Sequence, residues 1–410
     1  MKSQMVSYAV LLILLSQAHA VTFTFTKVVD TATPIPGGTG TFTSLGPFSL
    51  DQGNVALRGV GAQQEGIYLY DGGTLTNLVD TGAAIPDGVG NFTGFSPVSL
   101  DGMDVAFAGG GDNQGGIYTV IGGVISKIVD LNTPIPDGTG TFAHLDQPTL
   151  DVGAVAFVGS GPLNQFGIYL AEGGSLTTVA DTNTLIPDGT GDFEGISSTH
   201  ASLDGGQVAF AGHDTANRGG IYVSAAGTIT KIADGNTPVP GGVGTFDRFE
   251  PPVIDEGVIA FKGSSASNQP GIYLAGGGTL TEIITDVGPN GQLSIPSVDA
   301  EKVAFEFEAH DNSAPHGIYT NLGGVVTKVI DVTDTLDGKP FNPNSTISFS
   351  IGSDGLSGNQ LAFRAVFADG SQGIFLATLV PEPSSLILLA LAGLAMIGCG
   401  FNRCHIGQLR

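Results

Sequence analysis

From Val21 onward the chain alternates short apolar runs with clusters of Gly, Asp, Asn and Pro. Residues 95 to 130 show the unit clearly. Phe95-Ser-Pro-Val-Ser-Leu100 is followed by the turn Asp101-Gly102-Met103-Asp104, then by Val105-Ala106-Phe107-Ala108. After a polar stretch come Gly116-Ile117-Tyr118-Thr119-Val120, the pair Gly122-Gly123, and Val124-Ile-Ser-Lys-Ile-Val129-Asp130. Each run is rich in β-branched or aromatic residues and bounded by turn formers, which predicts four strands in an antiparallel meander. The Gly-Gly pair suits a two-residue primed turn, where both central residues need positive φ. Ile and Tyr alternate with small or polar neighbours, as expected of strands with two distinct faces.

The unit repeats. Gly-Ile-Tyr or Gly-Ile-Phe recurs at Gly66, Gly116, Gly167, Gly220, Gly271, Gly317 and Gly373, at intervals of 46 to 56 residues. Self-similarity at this period signals a repeat architecture. Its phase says which kind. Phe23-Thr-Phe-Thr-Lys-Val-Val-Asp30 copies the fourth strand, as in Thr228-Ile-Thr-Lys-Ile-Ala-Asp234, with no first three strands before it. Gly373-Ile-Phe-Leu-Ala-Thr-Leu379 is a third strand with no fourth behind it. The two orphans complete one another if the sheets close into a ring, which leaves no terminal edge unpaired. An open solenoid would need capping repeats instead. The expected fold is all-β: a seven-bladed propeller of four-stranded antiparallel blades over residues 21–379, with the N-terminal strand closing the last blade. Leu-Asp-x-Gly-x-Val-Ala-Phe, carried by Asp151 to Phe157 and Asp204 to Phe210, resembles a tandem-repeat family of bacterial surface proteins with interchangeable sorting tails. The resemblance implies location rather than chemistry.

Both ends carry targeting features. Lys2, the apolar stretch Ala9 to Leu15 and the small-x-small site Ala18-His19-Ala20 read as a secretory signal over residues 1–20. At the other end, Val380-Pro381-Glu382-Pro383-Ser384-Ser385 precedes an unbroken apolar run, Leu386 to Phe401, and a tail with Arg403 and Arg410. As a helix that run rises about 24 Å against a ~30 Å hydrocarbon core, a shortfall that snorkelling flanks or local thinning can cover. Lys2 and the two arginines prefer the cytoplasmic side, which places the body outside the inner membrane. Residues 380–410 resemble the PEP-CTERM sorting signal of exopolysaccharide-producing Gram-negative bacteria, with Val380, Pro381, Glu382 and Pro383 as its motif. That resemblance implies processing by an exosortase at the inner membrane. Anchoring by the C-terminal helix is then transient and ends in release or attachment at the cell surface. The arginines stand further apart than in the dense basic cluster usual for the family.

Charge narrows the partners. Fourteen Lys+Arg against 38 Asp+Glu give a net charge of −24, which argues against nucleic acid and against an anionic bilayer surface. A neutral glycan or a cation is compatible. Both cysteines, Cys399 and Cys404, fall in the tail, so the body has neither thiol nor disulfide.

Chemistry is expected on the face that varies. The first-to-second and third-to-fourth turns are short and uniform. The second-to-third loops and the blade-to-blade connections share the other face, and binding concentrates in loops on a rigid scaffold. The second-to-third loops carry Gln64, Asn113, Gln114, Asn164, Gln165, His213, Asp214, Asn268, Gln269, His310 and Asp311. Amides that donate and accept together suit sugar hydroxyls, so exopolysaccharide or another glycan is the partner these loops suggest. The connections repeat Pro-Ile-Pro-Asp-Gly-x-Gly-x-Phe, with Asp87, Asp137 and Asp188 as weak calcium ligands. Calcium wants six to eight oxygens and each loop offers only one or two carboxylates; turn formation explains Asp and Gly there more simply. No cofactor is therefore expected. The scattered histidines lack metal-ligand spacing and no Gly-x-Ser-x-Gly elbow occurs, so no catalytic residue is assigned. The expectation is a non-enzymatic binding or structural protein. The alternative is a secreted carbohydrate-active hydrolase or lyase with its site at the propeller mouth.

Overall fold

The repeat closes. The structure, a computed structural model, describes residues 21–189, 191–196, 200–216, 218–265, 270–285, 291–309, 315–342 and 347–380. The predicted signal segment, Pro381 onward and the predicted C-terminal helix lie outside the described residues. Among the described residues no helix is long and apolar enough to cross a membrane.

Seven antiparallel sheets follow one another around the ring. The first blade is Phe42–Asp51, Asn54–Gly61, Glu65–Asp71 and Thr74–Asp80, running from the innermost strand outward. The last takes Phe349–Ser357, Gln360–Val366 and Gln372–Val380 from the end of the body and Thr22–Asp30 from its start, in that order. The shared blade deduced from the phase of the repeat is therefore observed. Thr31 N–H donates to the Gln372 carbonyl at 2.9 Å just beyond the shared edge.

Proline shapes the innermost strands. Pro47, Pro97 and Pro148 sit mid-strand, and the pairing register shifts around each, between Leu45 and Phe48, Phe95 and Val98, and Asp146 and Thr149. Proline cannot donate to the ladder, so the strand bulges there. In the fifth and sixth blades, Pro251-Pro252 and Pro296 divide the inner strand into Phe246–Phe249 with Val253–Asp255 and Gly291–Leu293 with Ser297–Asp299. The seventh blade bulges most, between Ile351 and Leu356.

Each core lies between neighbouring blades and is built on the mark that counts the repeats. In the first five blades the tyrosine of Gly-Ile-Tyr meets the phenylalanine that ends the preceding connection, edge to face. Phe42–Tyr68, Phe92–Tyr118, Phe142–Tyr169, Phe193–Tyr222 and Phe246–Tyr273 have ring centroids 4.9 to 5.0 Å apart. Such pairs contribute about 0.5–1.5 kcal/mol beyond their buried area. The glycine of the second strand makes room: a Cβ on Gly59 would lie 2.4 Å from the Phe42 ring, and one on Gly159 2.7 Å from Phe142. Burial also pushes the Tyr68 and Tyr118 phenols up to about 12, helped by Asp80 and Asp130 respectively. These tyrosines are core groups.

Candidate functional site

The loop face is tied down by the amides expected to serve a ligand. Gln114 accepts from Val89 N–H at 2.8 Å and donates to the Val89 carbonyl at 2.7 Å, so its side chain imitates a strand partner for the connection beside it. Gln165 is buried, and its Oε1 accepts from Thr139 N–H at 3.3 Å in the equivalent connection. Gln64 donates to Asp80 at 2.7 Å. Asn113 and Asn164 hold the loop tips with φ near +57° and +59°, a left-handed backbone that Asn tolerates, and both side chains are exposed. Asp214 accepts from the backbone N–H groups of Ala216 and Arg218 and from the Arg218 guanidinium at 2.8 Å. His213 Nδ1 lies 3.2 Å from the Asp214 carbonyl. Asn268, Gln269, His310 and Asp311 lie outside the described residues, as do Pro381, Glu382 and Pro383; Val380 ends the strand Gln372–Val380.

In the connections, Asp87, Asp137 and Asp188 have φ near +56°, +54° and +56°, where other blades use Gly37 and Gly241. The position demands a left-handed backbone, which explains why Asp and Gly alternate there. Asp87 lies 3.7 Å from the Lys127 ammonium and Asp188 3.9 Å from Lys231. The strand-end aspartates cap their own turns: Asp130 accepts from Asn132 N–H and the Thr133 hydroxyl, both at 3.0 Å. Burial would raise the Asp130 carboxyl, but the Lys127, Thr133 and Asn132 hydrogen bonds prevail and hold it below its ordinary value. Among the described residues no three His, Cys, Asp or Glu side chains meet at metal-ligand spacing.

Convergence occurs instead on the face of short turns, around the central channel. A tripeptide at the end of each inner strand carries it: Ser49-Leu50-Asp51, Ser99-Leu100-Asp101, Thr149-Leu150-Asp151, Ser202-Leu203-Asp204, Val253-Ile254-Asp255, Ser297-Val298-Asp299 and Gly355-Leu356-Ser357. Alternation sends the first and third side chains to one face and the apolar middle residue to the other. Six aspartates and Ser357 thus line a cavity of about 240 Å3, and among the described residues that line it none is Lys or Arg.

The tripeptide works between blades. The Ser49 hydroxyl accepts from Leu100 N–H, Ser99 from Leu150 N–H, Ser202 from Ile254 N–H and Ser297 from Gly355 N–H, each at 3.0 Å. Thr149 reverses the sense and donates to the Ala201 carbonyl at 2.6 Å. The carboxylates repeat the step one turn further out: Asp51 accepts from Gly102 N–H and Asp101 from Val152 N–H at 2.7 Å, and Asp255 from Ala300 N–H at 2.6 Å. Asp151 bonds the Gly205 and Gly206 amides and Asp299 that of Gly358. Ser357 takes the seventh position, accepting from Gln52 N–H at 3.1 Å, which joins the last blade to the first.

Crowding carboxylates together has an electrostatic cost. Burial pushes the Asp255 carboxyl up to about 6, against the Ala300 hydrogen bond and with Asp204, Asp299 and Glu256 adding repulsion. Burial raises Asp151 too, with Asp204 and Asp101 adding to it, and raises Asp299 with Glu256 and Asp51. Deeper in the channel, the seventh-blade bulge projects Asp354 to the hydroxyls of Ser99, at 3.5 Å, and Ser49. His200 of the fourth blade lies within electrostatic reach of Asp354. It is buried, and its Nε2 has no hydrogen-bond partner among the described residues. Burial drives both groups towards their uncharged forms, Asp354 upward and His200 downward.

In the sequence the variable loops draw the eye and these short turns look plain. The signal was there, in a Ser-Leu-Asp tripeptide that recurs with the repeat. Convergence of residues about fifty positions apart becomes visible only once the ring is closed.

A ring of seven four-stranded sheets around a polar channel defines a seven-bladed β-propeller. The chain belongs to the family of unknown function DUF7453, whose pattern matches residues 14–160, 103–215 and 204–355. The PEP-CTERM protein-sorting motif matches residues 379–403, which marks the chain as an exported substrate of an exosortase, anchored before its release or surface attachment. No curated protein matches in sequence. Similar solved structures include one from an analysis of two prolyl endopeptidases, with TM-score 0.45, 12% identity and coverage of 87% of this chain. The match takes in 51% of that longer chain, so this protein spans about half its length. A putative TolB from Agrobacterium tumefaciens aligns with TM-score 0.39 and 16% identity over 75% of this chain and 94% of its own. The S. cerevisiae Dbp5–Nup159–Gle1 structure aligns with TM-score 0.41 and 10% identity, over 87% of this chain and 96% of the matched one.

Proposed function

We propose that, after export and tail processing, this propeller acts as a non-enzymatic scaffold of the cell surface or extracellular matrix in contact with exopolysaccharide. One observation carries the reading: the polar side chains that converge do so at repeat-equivalent positions, and most are bonded to the backbone of the next blade or connection. Groups held this way stiffen a disc and leave its rim to meet a partner. The exposed Asn113 and Asn164 tips offer that rim paired donors and acceptors for sugar hydroxyls. The test is binding of the processed protein to neutral and acidic polysaccharides, with Asn113→Ala/Asn164→Ala as the loop variant. Retention of a neutral polysaccharide that weakens in the variant supports the reading, and no retention on any polysaccharide rejects the glycan contact.

A second reading is favoured by the channel. A carboxyl raised to about 6, as at Asp255, among other carboxylates is the kind of pairing that a glycoside hydrolase uses for its acid and its base or nucleophile. Turnover of a polysaccharide that is abolished by Asp255→Asn would establish that reading over the first.

A further inference from the structure

The third blade departs from a rule that its neighbours keep. The residue paired with the tyrosine of Gly-Ile-Tyr in the outer ladder is Asn77, Lys127, Thr178, Lys231 and Glu282 in the first five blades. The left-handed position in the preceding connection is Gly37, Asp87, Asp137, Asp188 and Gly241 in the same order. Aspartate there goes with lysine. Lys127 and Lys231 each reach both that aspartate and the one ending their own strand, and Lys27 does the same between Asp337 and Asp30. Glycine goes with Asn77 or Glu282. In the third blade, Asp137 meets Thr178 instead, whose hydroxyl donates to the Pro136 carbonyl at 3.0 Å. The shorter side chain leaves room where a lysine stem would lie.

The groups around Thr178 are polar and incompletely bonded. Gln165 lies over Gly138, so close that a Cβ there would overlap its Nε2. Gln165 is 6% exposed and Tyr169 0%, yet Gln165 Nε2 and the Tyr169 hydroxyl have no hydrogen-bond partner among the described residues. Asp181 is buried too, and pairs with Gly167 in the same ladder. In the second blade the counterparts Asp87, Gln114, Tyr118 and Asp130 line one cavity of about 30 Å3, enough for a water-sized group. Buried polar atoms without partners mark a place where a water or a ligand group completes the site. The partners define that group. An amide nitrogen only donates and a carboxylate only accepts, so the group must accept and donate together. An ammonium cannot accept and a carboxylate cannot donate; a hydroxyl does both.

The loop beside this pocket presents a matching surface. Leu163 and Asn164 both have left-handed backbone, with φ +60° and +59°, and Leu163 is 89% exposed. Pro162 holds this tip against the connection, 3.0 Å from where a Cβ of Gly140 would lie. A bulky residue at positive φ is held there against strain. An apolar side chain next to an amide suits a sugar, which offers C–H faces and hydroxyls together. The net charge of −24 favours a neutral polysaccharide over an acidic one. We propose that the third blade carries the sugar subsite of the loop face. One hydroxyl of a neutral polysaccharide enters the pocket, accepts from Gln165 and Tyr169 and donates to Asp137 or Asp181, while its ring meets Leu163 and Asn164. This assignment rests on the glycan contact proposed above and narrows it to one blade of seven.

The test is affinity electrophoresis of the full chain through gels containing dextran, mannan or galactomannan, with alginate as the acidic comparison, alongside melting of each variant. Thr178→Lys gives the third blade the lysine of its neighbours. It should raise the melting temperature and weaken retention by a neutral polysaccharide about tenfold, because the ammonium takes the acceptors. Thr177→Lys puts the same charge on an exposed neighbour and should leave retention unchanged. Tyr169→Phe removes one oxygen from the pocket and should weaken retention without lowering the melting temperature. Retention that is the same in Thr178→Lys as in the parent chain overturns the assignment and leaves the glycan contact standing; with a raised melting temperature it assigns the pocket to a bound water only. Equal weakening by Thr177→Lys reduces the effect to charge and overturns the assignment too, as does stronger retention by alginate than by the neutral gels. Retention by none of the polysaccharides rejects the glycan contact together with its subsite. Should Thr178→Lys fail to fold, Tyr169→Phe supplies the measurement, and unchanged retention in it overturns the proposal.

Discussion

The two faces of the disc use their polar residues in opposite ways. On the loop face many polar groups serve their own locality: Gln114 clamps one connection, Asp130 caps one turn, and Asp214 folds one loop around Arg218, while Glu65 and Gln372 each accept from an N–H of the next blade. On the turn face the same residue types reach across blade boundaries and form a circuit from Asp51 to Ser357 and back to Gln52. The loop face is diverse in sequence and bonded largely within single loops and connections. The turn face is uniform in sequence and collectively charged. Variation between repeats marks loops that tolerate change, whereas strict repetition of a polar residue marks a position that every blade needs.

The comparison is broken most severely by opening the ring. Removing Thr22–Asp30 strips the closing strand, exposes the edge of Gln372–Val380 and uncovers the buried Val28 and Val29. Two valines alone account for about 3–6 kcal/mol, so denaturant titration should show a large loss of stability, and light scattering should show association through the new edge. Next comes the aromatic pair: Tyr118→Ala should cost about 3–5 kcal/mol by the same titration, because Phe92 loses its edge-to-face partner in a closed core.

The turn-face circuit should respond to loss of an acceptor more than to loss of charge. Asp101→Ala leaves the Val152 N–H without its partner and is expected to cost about 1–3 kcal/mol, while Asp101→Asn keeps an oxygen there and costs less. Acidity separates the faces again. Asp255, Asp151 and Asp299 have carboxyls raised in the folded protein, so the folded state takes up more protons than the unfolded chain as the pH falls. Their contribution therefore weakens stability as pH rises from about 4 to about 6 and beyond, and it is relieved on acidification. Asp30, Asp130, Asp234 and Asp331 lie below their ordinary values, since hydrogen bonds outweigh burial, and their contribution is lost as pH falls below about 4. Melting temperature should rise from pH 8 to pH 5 and fall below pH 4, and Asp255→Asn should flatten the upper limb. The smallest effect is expected on the loop face: Gln114→Ala removes two hydrogen bonds from an exposed connection and should cost about 1 kcal/mol, with no change in the upper pH limb.

Blade number, strand order and the closing strand are all legible in the chain, because strand alternation and turn residues are local signals and the phase of a repeat needs only counting. The pairing of Phe42 with Tyr68 is not, since each residue resembles an ordinary core position and their contact depends on how a connection folds back. Gln64, Gln114 and Gln165 read in sequence as free amides; composition cannot tell a solvated amide from one bonded to a neighbouring backbone. The channel escapes the sequence for a geometric reason. Asp51, Asp101 and Asp151 each sit in a turn that suits aspartate on its own, and nothing in a single turn reveals that a neighbouring blade's N–H stands next to it.

Amide hydrogen exchange tests the turn-face circuit most directly. Gly102, Val152, Ala300 and Gln52 lie in short turns, yet their N–H groups donate to the preceding blade. The account predicts that they exchange slowly, as core strand amides do, and that Asp101→Ala releases Val152 while Asp101→Asn does not. Exchange at these four amides as fast as at the outer turn pairs Gly72-Gly73 and Gly122-Gly123 would contradict it.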